Sequence, residues 1–249
     1  MTDQYNLDSG PDPASFAEST PEIHNSDSPV YVIGIGPGPT DFLTKRGEKL
    51  IASADVVVGF DSVVEYIKPI TDAEFLTCGY HDELQTLDEF AQQIAKGNQG
   101  VAVTMGDPNH SGYQFVGKVQ QAVDAPVQII PGISSIQIAA SRARTPLEKS
   151  KFVTLHKSGG IDAELEQLVE HVGTRHLLIL PRPYDWMPED IAAYLLKHGA
   201  SPSLSVFVFE HLTQQEEKIT DTTLQALQST NTDDSTYSDL SVLVVRSSS

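Results

Sequence analysis

The chain has 249 residues, 39% of them hydrophobic, enough for one large domain or two small ones, and no apolar run approaches the length of a membrane span. Acidic residues outnumber basic ones 34 to 16, and the resulting net charge of −18 repels nucleic acid and anionic membranes, which argues against both as partners. A single cysteine, Cys78, excludes an internal disulfide and a cysteine-built metal cage.

Residues 1–28, "MTDQYNLDSGPDPASFAESTPEIHNSDS", mix acids, serines and prolines without a periodic apolar pattern. Such a segment cannot bury enough surface to offset its ordering entropy, so a disordered acidic tail is expected there. It has neither the basic start nor the apolar core of a secretory signal, and a soluble, cytoplasmic protein is expected. The large acid excess with few lysines also suggests work in concentrated salt. At about 1 M the screening length falls to about 3 Å and the self-repulsion largely vanishes.

From Pro29 onward, short apolar runs alternate with helical patterns. "VYVIGIG" reads as a buried strand and "LTKRGEKLIASA" as a helix with Thr44 as N-cap, burying Leu43, Gly47, Leu50, Ile51 and Ala54. "DVVVGF" and "EFLTC" read as strands, "TLDEFAQQIAKGNQG" as a helix, "VAVTMG" and "VQIIPG" as two central strands, and "PGISSIQIAASRA" as a helix led in by serines. "TPLEKSK" interrupts the apolar pattern and marks a domain boundary. Beyond it come strand "KFVTLH", a helix over 161–172, strand "HLLILP", a helix over 188–198, and strands "SLSVFVFE" and "LSVLVVR", with "KIT" as a short edge strand. The pattern predicts two α/β domains, 29–148 and 149–249, each a mixed, mostly parallel sheet flanked by helices.

Three small-residue loops follow predicted strands. "GIGPGP" places Gly34 and Gly36 as a dinucleotide fingerprint would, but Pro39 stands where the third glycine belongs and Pro37 removes a backbone donor from the turn. No Gly-Lys-Ser/Thr follows, so a P-loop is excluded as well. The turn is built for close approach to a ligand rather than for cradling phosphate, or else it is a plain strand-to-helix connection. "MGDPNHSG" sets Gly106, Asp107 and Pro108 after one central strand, and "IIPGISS" sets Pro131, Gly132, Ser134 and Ser135 after the next. Loops at the carboxyl ends of parallel strands converge on one crevice.

With "GIGPGPTDFLT", "ADVVVGF", "GDP" followed by "SG", and "PGISSIQIAA", the sequence resembles the tetrapyrrole (corrin and precorrin) methyltransferases from about Val30 to Val245. The double serine with Gln137, and "VTLH" at the start of the second half, favour the branch that methylates carbon 5 of the corrin ring in cobalamin biosynthesis. The resemblance implies a two-domain homodimer whose active site lies in the cleft between domains and holds folded S-adenosyl-L-methionine. Carried over position by position, it implies cofactor contacts at Pro37, Met105, Gly106, Asp107, His110, Ser134 and Ser135, and at Leu180 and Leu212 chiefly through their backbone.

The sequence departs from that branch where Lys157 and Ser158 follow His156 and where "SRART" replaces the usual pattern. A sibling acting at another ring position, or a non-catalytic tetrapyrrole or nucleotide binder of the same fold, therefore stands as the alternative. Methyl transfer from a sulfonium requires positioning rather than a nucleophilic residue. Asp107 and His110 are the nearest candidates for a base, but equally a turn former and a backbone contact, and neither is assigned a catalytic role. The remaining histidines lack metal spacing, and no protein-bound metal is expected. The implied precorrin or cobalt-precorrin substrate is a polycarboxylate. Arg142, Arg144 and Arg182 are the candidate partners for its acetate and propionate groups; Lys149, Lys151 and Lys157 make the stretch around the first two unusually basic.

Overall fold

A computed structural model describes residues 13–19, 28–79, 81–110, 112–157, 159–183, 185–228 and 235–248. The chain divides into two compact units, one ending at Ser134 and the other running from Ser135 onward.

The first unit is built on β1 (Val30–Gly34), β2 (Val56–Phe60), β3 (Glu74–Cys78), β4 (Gly100–Thr104) and β5 (Val127–Ile130). They form one sheet in the order β3-β2-β4-β1-β5, with every pairing parallel. Helices α2 (Lys45–Ala52), α3 (Asp61–Ile67), α4 (Glu83–Ala95) and α5 (Tyr113–Ala122) form the crossovers. Side chains alternate across the strands, so Val30, Val32, Val56, Val58 and Ala102 pack with Leu87, Phe90, Phe115, Val116 and Val119 of α4 and α5. Their neighbours Ile33, Val57, Val101 and Val103 pack with Ile51 of α2 and Val63, Val64 and Ile67 of α3. Both faces of the central strands are covered, which is why β2 and β4 read as almost wholly apolar runs. Thr44 caps α2 as its sequence predicts: its Oγ1 accepts the N–H of Gly47 at 3.1 Å. Gly47 and Ile51 are buried; Leu43, Leu50 and Ala54 are partly so.

Helix α1 (Pro13–Ser19) corrects part of the disordered-tail expectation; residues 1–12 and 20–27 lie outside the described ones. Ala17 is buried in the core cluster shared with α5. A Cβ on Gly117 of α5 would lie 1.7 Å from the carbonyl oxygen of Pro13, so the glycine is what permits this contact. Helix α3 was not legible either, because "DSVVEYI" is too short to establish a period.

The second unit contains α6 (Ser135–Ala143), β6 (Ser150–Thr154), α7 (Asp162–His171), β7 (His176–Leu180), α8 (Pro188–Lys197), β8 (Ser205–Glu210), β9 (Lys218–Thr223), α9 (Leu224–Gln228) and β10 (Ser241–Val245). Its sheet has the order β6-β7-β10-β8-β9, with β6 and β7 parallel and the other three pairings antiparallel. The sheet is mixed, as expected, with β9 at its edge, but parallel pairing is in the minority. Helices α7, α8 and α9 pack on one face through Leu165, Leu168, Ile191, Leu195, Leu224 and Leu227. Helix α6 packs on the other, against Leu178, Phe209, Val242 and Val244.

That placement corrects the boundary expected at 148/149, since α6 belongs to the second unit and the division falls between Ser134 and Ser135. Ile136, Ala139, Ala140 and Ala143 form a stripe at helical spacing, and the small alanines let the helix lie close on the sheet. "TPLEKSK" is a connection inside the second unit, partly a 3-10 turn over Leu147–Lys149.

Candidate active site

The connection leaving β1 passes to the α2/α3 face of the first sheet and the one leaving β4 passes to the α4/α5 face, although the two strands are neighbours. Such a reversal opens a crevice at the carboxyl ends of the strands. Here the backbones on its floor meet directly. Gly36 donates its N–H to the carbonyl of Gly106 at 3.2 Å, Gly106 donates back to Gly36 at 2.7 Å, and Ile35 donates to Thr104 at 3.0 Å. Gly36 (φ 90°) and Gly106 (φ 67°) both hold left-handed backbone.

Two glycines lie beneath this bridge. A Cβ on Gly34 would sit 2.5 Å from the Gly106 oxygen, and one on Gly132 would sit 2.2 Å from the same oxygen and 2.6 Å from that of Gly34. Three loops distant in sequence are thus locked together by contacts that only glycine allows. Gly106 itself is different. A Cβ there would meet only Ser134 Cα, at 3.7 Å, so the space above it is open.

Of the residues the sequence nominates, the first unit brings together Pro37, Met105, Gly106, Asp107, His110 and Ser134 on these loops; Pro37, Asp107 and Ser134 are buried and the others partly so. Asp107 is engaged locally: its Oδ1 accepts from the backbone N of Asn109 at 2.9 Å and from Asn109 Nδ2 at 2.8 Å, while its carbonyl accepts from the N–H of His110 at 2.8 Å. This is an Asx turn that shapes the loop.

The second unit holds Ser135, the first residue of α6, together with Leu180 and Leu212, which pack in the same apolar cluster as that helix. Its arginines are not alike. Arg142 lies 3.1 Å from Glu217, and Arg182 grips Asp185 with Nε at 2.8 Å and Nη2 at 2.6 Å while Nη1 donates to the Gly159 carbonyl at 3.1 Å. Arg144 is exposed, follows the end of α6 at φ 54°, and has no ion pair among the described residues.

Gly34 and Gly132 were visible in the motifs without any sign of which backbone each would meet. Glu217 gave no signal, being 75 residues from its partner Arg142. Cys78 is no nucleophile: burial, with the nearby carboxylates of Glu83 and Asp82, pushes its thiol up to about 12.

The three loops, 35–44, 105–112 and 131–134, contain no lysine or arginine. Bare backbone, serine and the two carboxylates of Asp41 and Asp107 suit an uncharged nucleoside and a cationic sulfonium, and do not suit a pyrophosphate, which seeks donors and positive charge.

Comparison with known proteins agrees. Residues 29–228 match the family model of the tetrapyrrole (corrin/porphyrin) methylases. The probable cobalt-precorrin-7 C(5)-methyltransferase of Methanocaldococcus jannaschii is 31% identical over 191 residues, 76% of this chain and 87% of that one. The cobalt-precorrin-4 C(11)-methyltransferase of Priestia megaterium is 30% identical over 213 residues, 80% of each. The structure of a Thermus thermophilus uroporphyrin-III C-methyltransferase complexed with S-adenosyl homocysteine superposes with a TM-score of 0.66 at 20% identity, covering 88% of this chain and 92% of that one. The chain belongs to the tetrapyrrole methylases, S-adenosylmethionine-dependent methyltransferases.

Proposed function

We propose that this protein methylates carbon 5 of a corrin-ring precursor of the cobalt-precorrin-7 kind. The observation that carries the reading is the 31% identity to the probable C(5)-methyltransferase over 87% of that relative's length. A sibling reaction at carbon 11 is the second reading, favoured by a relative 30% identical over 80% of both chains.

Bound S-adenosylmethionine would supply a methyl group on a positively charged sulfur, ready for in-line attack by an electron-rich ring carbon. The chain's part is to hold, orient and keep dry. Pro37, Met105, Gly106, Asp107, His110 and Ser134 are the proposed cofactor contacts of the first unit, and Ser135, Leu180 and Leu212 those of the second. The Gly36–Gly106 bridge gives the first unit's contacts a floor that cannot shift without breaking two hydrogen bonds. Such preorganisation lowers the barrier by positioning alone, an effect that reaches about 7–11 kcal/mol in well-oriented reactions. Asp107 serves by shaping its loop. Arg144 is the proposed first contact for a ring carboxylate, since Arg142 and Arg182 already have acidic partners in their own unit.

Titration with S-adenosylhomocysteine tests the cofactor reading. Stoichiometric binding supports it, and a folded protein that takes none overturns it. A homodimer, as the family resemblance implies, completes the proposal, and the −18 charge adds a salt-rich cytoplasm. The midpoint of thermal unfolding should then climb between dilute buffer and molar KCl, and a flat response would remove the high-salt part.

A further inference from the structure

The loop that follows β8 holds two residues with a Cβ in the left-handed region, His211 (φ 48°) and Thr213 (φ 70°), with Leu212 buried between them. Left-handed backbone brings Cβ against the carbonyl oxygen, and a β-branched side chain suffers most. Such a conformation persists only where its surroundings over-determine it. The surroundings here are specific. Glu217 Oε2 accepts the N–H of Thr213 at 2.7 Å. Arg142 reaches across from α6 and places Nη2 3.1 Å from Oε1 and 3.2 Å from Oε2 of the same carboxylate. The ends of the turn are tied as well, by His211 N–H to the Leu240 carbonyl at 3.0 Å and by Glu217 N–H to the Gln214 carbonyl at 3.2 Å.

The Arg142 side chain is 47% exposed, and an ion pair so wet contributes little to stability. Its consequence lies in geometry. With the carboxylate fixed by the guanidinium, the Thr213 N–H has one place to point, and the turn stays in its strained form. We propose that Arg142 and Glu217 are positioning residues, a brace that holds the 211–213 turn so that the backbone at Leu212 meets the methyl-donor cofactor. This rests on the reading that this turn touches S-adenosylmethionine. Arg142 then acts through Glu217 and Thr213 and touches neither substrate nor cofactor.

The test is a calorimetric titration of full-length variants with S-adenosylhomocysteine at one salt concentration, with a thermal melt of each. Glu217→Ala removes both the acceptor and the ion pair and should weaken binding about tenfold, the cost of one strained residue left unheld. Its melting temperature should barely move. Glu217→Gln keeps an oxygen for the Thr213 N–H and should lose about threefold. Arg142→Ala, an exposed change that leaves the fold alone, should lose a similar factor, and Arg142→Lys should recover most of it.

The decisive variant adds Thr213→Gly to Glu217→Ala. Glycine adopts φ near 70° at no steric cost, so the turn should hold without its brace and affinity should return to within about threefold of the parent protein. Unchanged binding in Glu217→Ala, or a loss that Thr213→Gly does not reverse, overturns the proposal. A folded parent protein that binds no S-adenosylhomocysteine overturns the cofactor reading and the proposal with it, an outcome distinguished by appearing before any variant is made.

Discussion

Among the described residues, the first unit confines left-handed backbone to glycine, at Gly36, Gly38, Gly97 and Gly106, whereas the second unit also places Arg144, His211 and Thr213 there. In the first unit a Cβ at Gly34 or Gly132 would strike backbone atoms, so a side chain is impossible there and the loops meet one another through main chain. In the second unit a side chain is tolerable but costly, and a carboxylate with its arginine holds the turn. Rigidity has been obtained in one unit by omitting side chains and in the other by tying them down. The main-chain contacts of the first carry no titratable group; the second depends on an ion pair at the surface.

Where the three loops of the first unit meet, main-chain packing tolerates least at Gly132. Gly132→Ala puts a carbon 2.2 Å from the Gly106 oxygen, where nothing flexible can yield. It should cost about 3 kcal/mol or more in urea unfolding, the upper range for overpacking. Gly106→Ala separates floor from ligand space. Its φ of 67° exacts about 1 kcal/mol of stability, yet the new methyl enters the open space and should reduce S-adenosylhomocysteine affinity far more than it lowers the melting temperature.

Arg144→Gly sharpens the contrast from the other side. The Thr145 N–H bonds back to the Ala140 carbonyl at 2.9 Å, a helix end for which glycine is the low-strain residue. The variant should be as stable as the parent or more stable by up to about 1 kcal/mol. If Arg144 contacts a ring carboxylate, the same variant should raise KM for the corrin substrate, so that stability and activity move in opposite directions.

The smallest effect concerns His176, buried beside Ser247, whose N–H donates to its Nδ1 at 3.0 Å. Burial, with help from the positive Arg246 and Lys149, pulls its pKa below the ordinary value. The unfolded chain therefore binds a proton at higher pH than the folded one does. The stabilisation is fully present above the unfolded pKa of about 6.5 and is lost as pH falls below it, down to the lowered folded value. Melting temperature should fall on acidification through that window, and His176→Gln should flatten the slope.

The central strands β1, β2 and β4 were legible because burial on both faces leaves runs rich in valine, with isoleucine, alanine and glycine. The loops were legible because main-chain contact excludes every residue but glycine at Gly34 and Gly132. Helix α6 was visible as a helix but not as a member of the second unit. Its alanine stripe fits any sheet, and only the cluster with Phe209 and Val244 decides which. Nothing local announced α1, which depends on a bare patch at Gly117 about a hundred residues away. The same holds for Glu217, an unremarkable acid in an acidic chain until Arg142 and the Thr213 N–H are brought beside it.

The most direct test is methyl transfer itself, from S-adenosylmethionine carrying a carbon-13 methyl group to cobalt-precorrin-7, with the product read by mass spectrometry and carbon-13 NMR. One new methyl group, attached at carbon 5, is the predicted result. A methyl group at another ring carbon, or none from a protein that binds S-adenosylhomocysteine, would contradict it.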